Sequence, residues 1–188
     1  MDGANMNAQV GLARPGDWVG GFDLPFGLPR ELVEHLGWPT DWPGCLRHYR
    51  GLTRAQIRDT FAAFCNARPA GGKFAHRRTD GPAGSSPSID RKSTRLNAGD
   101  PRRVALEAYP GLLAREVLGG GRSYKSDDRA KHTPERLIAR KDLVAALETG
   151  RTRLGLHLKL SHAQRDALVD DASGDTLDAV LCLLQAGW

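Results

Sequence analysis

The chain has 188 residues, 40% of them hydrophobic and 26% charged, and a formal net charge of +5. These values are ordinary for a soluble protein and predict one domain with a sizeable core. No apolar run approaches the ~20 residues of a membrane span. No signal peptide is visible, and three scattered cysteines fit reduced thiols better than a disulfide framework or a zinc site. We therefore expect a cytoplasmic protein without a membrane partner.

The first predicted element is a strand that begins at Trp18 and ends at Phe22, directly before Asp23. Pro25 keeps Leu24 extended, so the chain leaves this strand without continuing as helix. Catalytic and ligand-binding groups gather at the carboxyl ends of strands in α/β proteins. Asp23 is therefore a candidate site residue, although an Asp before such a turn also often caps the turn with its own side chain.

The remaining elements follow from apolar periodicity, caps and turn residues. Capping boxes begin at Thr53 and Ser161, and Pro110 is placed to open a helix. A short buried strand carries Glu107. The predicted helices cover 30–36, 53–67, 110 to the glycines at 119–121, 133–149, 161–169 and about 175–186. A strand is predicted over 104–108 and a rigid loop over 38–44.

The positive charge is concentrated in one segment. Residues 66–103 contain nine Lys or Arg and three Asp, hence +6, which leaves about −1 for the rest of the chain. Within it, about 68–101 has the Gly/Pro/Ser-rich composition of a loop that is too long for an ordinary connection. A basic segment beside carboxylates suits a polyanionic substrate. The alternative is a solvated loop.

Asp175 and Asp178 are three residues apart on the last predicted helix, so they share one side of a turn. Together with Asp23 and Glu107 they could hold one or two hard cations, Mg²⁺ or Mn²⁺, which use carboxylates, waters and substrate phosphate oxygens. Each acid also has a structural interpretation. Asp175 could cap the helix or complement its dipole, and Glu107 could form a salt bridge with an arginine.

Other chemistries are not indicated. The six histidines show no HExxH motif or paired ligand spacing, and there is no GxSxG motif. The triple glycine at 119–121 is not a phosphate loop, because no Gly-Lys-Ser/Thr follows it. Cys182, on the last helix, is expected in the core.

Five short motifs occur in an order that resembles the DUF429 family, a family of predicted nucleases with a ribonuclease H-like fold. The motifs are Phe22-Asp-Leu-Pro-Phe-Gly-Leu-Pro29, Arg77-Arg-Thr-Asp80, Leu106-Glu-Ala-Tyr-Pro110, Ser123-Tyr-Lys125 and Gly174-Asp-Thr-Leu-Asp-Ala-Val-Leu-Cys182. The resemblance covers about 18–188. It implies an α/β fold, a mixed sheet flanked by helices, in which Asp23, Glu107, Asp175 and Asp178 bind Mg²⁺.

Two features depart from the family. First, the family carries an acid on an initial strand, and no strand is predicted before Trp18 to carry it. Second, Arg91 to Asn97 stands where a longer apolar insert is expected, and this segment resembles a junction or an artefact. We therefore expect a single, N-terminally truncated ribonuclease H-like domain over 1–188.

The function expected from these observations is a metal-dependent nuclease. Arg77, Arg78 and Lys125 would bind the substrate. The alternative is a catalytically inactive remnant that binds nucleic acid or a protein partner. The sequence leaves open whether the substrate is DNA or RNA, and it gives no oligomeric state.

Overall fold

A computed structural model describes residues 16–77, 95–97 (backbone only) and 101–188. These residues form two compact units. The first contains 16–23, 95–97 and 101–188, and the second contains 24–77. Most of the predicted loop at 68–101, including Arg78, lies outside the described residues. That 1–188 is one ribonuclease H-like domain stays a prediction.

The described part of the chain contains three strands and seven α-helices. The strands are β1 (Trp18–Phe22), β2 (Arg95–Asn97) and β3 (Arg103–Glu107); the helices are α1 (Arg30–His35), α2 (Trp42–Arg50), α3 (Arg54–Asn66), α4 (Pro110–Leu118), α5 (Pro134–Glu148), α6 (His162–Asp170) and α7 (Asp175–Gly187), with a 3₁₀ turn at Arg129–Lys131. This composition confirms the α/β class. None of these helices is both long and apolar enough to cross a membrane.

The sheet is small and has the order β1-β3-β2. β1 and β3 are parallel, with Phe22 in register with Glu107. β2 is antiparallel to β3. Asp23 therefore follows β1 at the carboxyl edge of a parallel pair, as predicted.

The core of the first unit lies among α4, α5, α6 and α7. Its most deeply buried side chains are Leu113, Leu143, Val144, Leu147, Leu177 and Leu181. The spacing of Leu177, Val180, Leu181 and Leu184 predicts an apolar stripe on α7, and the structure confirms it, because Leu177 and Leu181 are fully buried and Leu184 is 8% exposed. The apolar pattern of 133–149 also predicts Ile138 on the buried side of α5, but Ile138 is 52% exposed.

Local signals explain where most helices begin. Both predicted capping boxes form: Thr53 and Ser161 each accept from the backbone N–H three residues later, and Gln56 and Gln164 accept from the cap residues in return. The prediction of a rigid loop over 38–44 is wrong for its last residues, which are helical. Asp41 accepts a hydrogen bond from Gly44 N at 2.8 Å and caps α2, which begins at Trp42.

In the second unit, Trp38 is a packing residue. Its ring lies 4.7 Å from His48, 6.4 Å from Tyr49 and 6.2 Å from Phe61, measured between ring centroids. A tryptophan in a loop can stack on a base, but it more commonly packs over the edge of a core, and these contacts confirm the commoner role for Trp38.

Candidate functional site

Asp178 is a buried acid with two partners. It lies in the first turn of α7 and is only 6% exposed. The Tyr124 hydroxyl donates to its Oδ1, and the Lys125 ammonium donates to its Oδ2. A carboxylate is costly to bury unless it is paired and hydrogen-bonded. Tyr124 and Lys125 therefore make an ionised Asp178 tolerable at this depth.

The segment that carries these two partners is held in place by arginines of α5. Arg140 is 4% exposed and donates to Tyr124 O at 2.8 Å and to Val169 O at 2.6 Å. Arg136 donates to Lys125 O at 2.6 Å. These bonds fix the backbone of both residues, so their side chains reach α7 from a defined position.

Gly174, the N-cap of α7, makes room for Lys125. It has φ +77°, and a Cβ there would lie 2.6 Å from Lys125 Cβ and 3.0 Å from its Cδ. The aliphatic stem of Lys125 therefore lies directly against this glycine. A side chain at 174 would be strained by the backbone and would also push Lys125 away.

The start of α7 is organised by Asp171. Its Oδ1 accepts from Ser173 N, Ser173 Oγ and Gly174 N, and its Oδ2 accepts from Thr176 N at 2.9 Å. Partial burial alone would raise the pKa of Asp171, but these hydrogen bonds lower it to about 2. Asp171 therefore supplies the side-chain cap for which Asp175 was one candidate.

Asp23 reaches the same site from β1. A Cβ on Gly21 would collide with the backbone carbonyl of Cys182, so the strand lies directly against α7 at this point. Asp23 directly follows this strand and lines one cavity together with Lys125.

The charges of this site act on one another. The pKa of Asp23 is raised, first by partial burial of its carboxylate and then by the charge of Asp178, while Lys125 opposes the shift. Partial burial would lower the pKa of Lys125, but Asp178, with Asp23 and Asp175, raises it overall. Burial and the bond to Asp178 raise the pKa of Tyr124, so its hydroxyl stays protonated and donates.

The four predicted acids do not all meet. Glu107 is in register with Phe22 and therefore lies on the sheet face opposite to Gly21; it is buried, at 9% exposed. Asp175 is exposed and accepts from Ser173 Oγ at 3.1 Å. Across residues 16–77 and 101–188, no group of three or more His, Cys, Asp or Glu side chains is arranged to hold a metal ion.

The three predicted substrate contacts are Arg77, Arg78 and Lys125. Arg77 belongs to the second unit, and Arg78 is outside the described residues. Lys125 lies in the acid site itself, where it pairs with Asp178. That these three residues bind substrate stays a prediction.

A cavity of about 370 Å³ adjoins this site. Its charged lining consists of three cations and one acid: Arg115, Arg122, Lys125 and Asp23. Arg115 donates to the Tyr109 hydroxyl, and Arg122 pairs with Asp142 at 2.8 Å. Arg122 and Lys125 are thus already paired with Asp142 and Asp178, and an anionic ligand would share these two cations with the acids while also reaching Arg115.

Sequence reasoning missed several of these residues. Tyr124 stands beside Lys125 in a motif that was already noted, so its hydroxyl could have been considered. Arg115 and Arg122 lie outside the basic segment at 66–103, so the charge count over that segment did not include them. No protein-family model, curated protein or solved structure matches the chain.

Proposed function

We propose that this chain binds nucleic acid through the cation-lined cavity and hydrolyses phosphodiester bonds with Asp23 and Asp178. One observation carries the proposal. The charge of Asp178 acts on Asp23, an acid 155 residues away in sequence, beside a cavity lined by three cationic side chains. The order of the motifs that resemble the DUF429 family supports the same function and a ribonuclease H-like fold.

A divalent cation would be held by Asp23 and Asp178. Mg²⁺ sites for phosphoryl transfer often contain only one or two protein carboxylates, with waters and phosphate oxygens as the other ligands. The pair therefore fits such a site, although the four-acid set does not converge among the described residues. When bound, Mg²⁺ or Mn²⁺ would stabilise the phosphoryl charge and make a bound water more acidic.

The chain's own residues would divide the remaining tasks. Arg115 and Arg122 neutralise phosphate oxygens and orient the phosphodiester. Asp23 lines the cavity beside these arginines, where its carboxylate would help to hold the divalent cation and to orient the attacking water. That water attacks phosphorus and loses its proton to bulk solvent, while the bond to the leaving sugar oxygen breaks and that oxygen takes up a proton from solvent.

The test is cleavage of single- and double-stranded DNA and RNA with Mg²⁺ or Mn²⁺. We expect Asp23→Asn to lower the rate at least about 100-fold, because the variant loses one carboxylate ligand of the cation. The matched control is Asp166→Asn, an exposed acid on α6, which should keep the wild-type rate. Equal rates in the two variants would contradict the proposal.

A second candidate function is binding without cleavage. It is favoured by Asp178, whose two oxygens already accept from Tyr124 and Lys125. This alternative predicts binding that weakens with salt, needs no metal and is unaffected by Asp23→Asn. Arg115→Gln together with Arg122→Gln should weaken such binding and reduce its salt dependence.

A further inference from the structure

Lys125 and a divalent cation would require the same acceptor. The Lys125 ammonium donates to Asp178 Oδ2, while Oδ1 accepts from the buried Tyr124 hydroxyl. Tyr124 is 6% exposed and fixed through its backbone by Arg140, so it cannot easily move away. Of the two donors on Asp178, the ammonium is the one that can leave.

The side chain of Lys125 is able to move its ammonium away from Asp178. Its stem is held against Gly174, but its side chain is 40% exposed and lines the cavity together with Arg115 and Arg122. A lysine ammonium is a point charge on a flexible chain. The tip can therefore move from Asp178 toward an anion in the cavity while the stem remains in place.

We propose that Lys125 is a built-in competitor for Asp178: a divalent cation displaces its ammonium from the carboxylate, and the freed ammonium then binds the substrate phosphate. This inference rests on the proposed function, because it concerns the same two acids. It adds an order of events in which the metal binds first and prepares the phosphate contact.

Local charge gives the direction of the effect. Asp23, Asp175 and Asp178 all act on the Lys125 ammonium, which is their shared counter-charge. Without that ammonium, the same acids would attract a divalent cation more strongly. A lysine that only binds phosphate would leave the affinity for the metal alone unchanged.

The first test is calorimetric titration with Mn²⁺ alone. Lys125→Met should bind Mn²⁺ about tenfold more tightly than the wild type. Lys131→Met is the matched control, because Lys131 is a 64% exposed lysine paired with Asp128 at 3.4 Å. It should leave the affinity unchanged. Unchanged or weaker binding in a folded Lys125→Met variant would overturn the proposal.

The second test uses the wild type, because loss of the ammonium leaves Asp178 short of a partner and can unfold Lys125→Met. A lysine ammonium that is protected from exchange with water gives its own ¹⁵N NMR signal. The signal of Lys125 is identified as the one that disappears in Lys125→Arg. Saturating Mg²⁺ should abolish that protection. A signal that persists with Mg²⁺ bound, or a wild type that binds neither cation, would refute the competition. Neither measurement depends on cleavage, so failure of the nuclease proposal appears separately, as a folded chain that binds metal without cutting nucleic acid.

Discussion

At the scale of single residues, Asp171 does the most to hold the site in shape. Its carboxylate joins the end of α6 to the first turn of α7, accepting from the backbone of Ser173, Gly174 and Thr176. Asp178 lies in that first turn, and Gly174 supports the stem of Lys125. The orientation of both partners in the ion pair therefore depends on an acid that touches neither.

We expect Asp171→Ala to lower the free energy of unfolding by about 1–2 kcal/mol, the usual cost of losing a helix cap. Denaturant unfolding measures this, with Asp166→Ala as an exposed control within about 0.5 kcal/mol of wild type. The contribution of Asp171 should also depend on pH. Its folded pKa is about 2, below the ordinary 3.8, so the stabilisation is full above the ordinary value and is lost as the pH falls toward 2. Equal acid sensitivity of wild type and Asp171→Ala would contradict this role.

The acids show how far residue-level prediction reaches. Asp23 at the end of a strand was predictable, because an apolar run and a Pro turn frame it. Asp175 and Asp178 looked alike, since helical spacing puts them on one side of a turn. In the structure Asp178 is buried and Asp175 is exposed. The burial of Asp178 depends on its partners Tyr124 and Lys125, which are more than fifty residues away in sequence. Local pattern contains no information about such a contact.

At the scale of elements, the site depends on how closely β1 approaches α7. Gly21 allows this approach, because a Cβ there would meet the carbonyl of Cys182. Cys182 itself is 3% exposed, as expected of a core residue, and burial followed by the charges of Asp23 and Asp178 raises its pKa to about 12. The glycine therefore sets the distance between the strand that ends at Asp23 and the helix that carries Asp178.

Gly21→Ala should force strand and helix apart and lower the free energy of unfolding by about 1–3 kcal/mol, as overpacking of a core does. Gly20→Ala in the same strand is the matched control. Its new Cβ would lie 3.1 Å from the edge of the Phe22 ring, a side chain rather than backbone. Thermal or denaturant unfolding compares the two variants. A Gly21→Ala protein as stable as Gly20→Ala would show that the close approach is not needed.

Element boundaries were predictable where a side chain caps the backbone locally. The boxes at Thr53 and Ser161 are examples, since four consecutive residues contain the whole signal. The start of α2 was missed although Asp41 and Pro43 form a similar local signal, because the Trp-Pro pairs around them suggested a rigid loop. The position of Glu107 needed the register of β1 against β3, which the sequence does not contain.

At the scale of the whole molecule, the segment that holds most of the excess positive charge differs from the segment that supplies the cations of the cavity. The sequence places most of the excess positive charge in 66–103, and the rest of the chain is close to neutral. Yet the cavity collects Arg115, Arg122 and Lys125 from that nearly neutral remainder. All three lie within 115–125, where Glu116 is the one acid, so a charge count over this shorter window gives +2 and would have indicated the cluster.

The most direct test of the central claim, that Asp23 and Asp178 form one catalytic site, is a double-variant cycle of cleavage rates. Asp23→Asn, Asp178→Asn and the variant with both changes are compared with the wild type, each checked for folding by its thermal melt. Residues that act as one unit give non-additive losses. We predict that the double variant cleaves no more slowly than the worse single variant. Losses that multiply, or a folded wild type that does not cleave, would contradict the account.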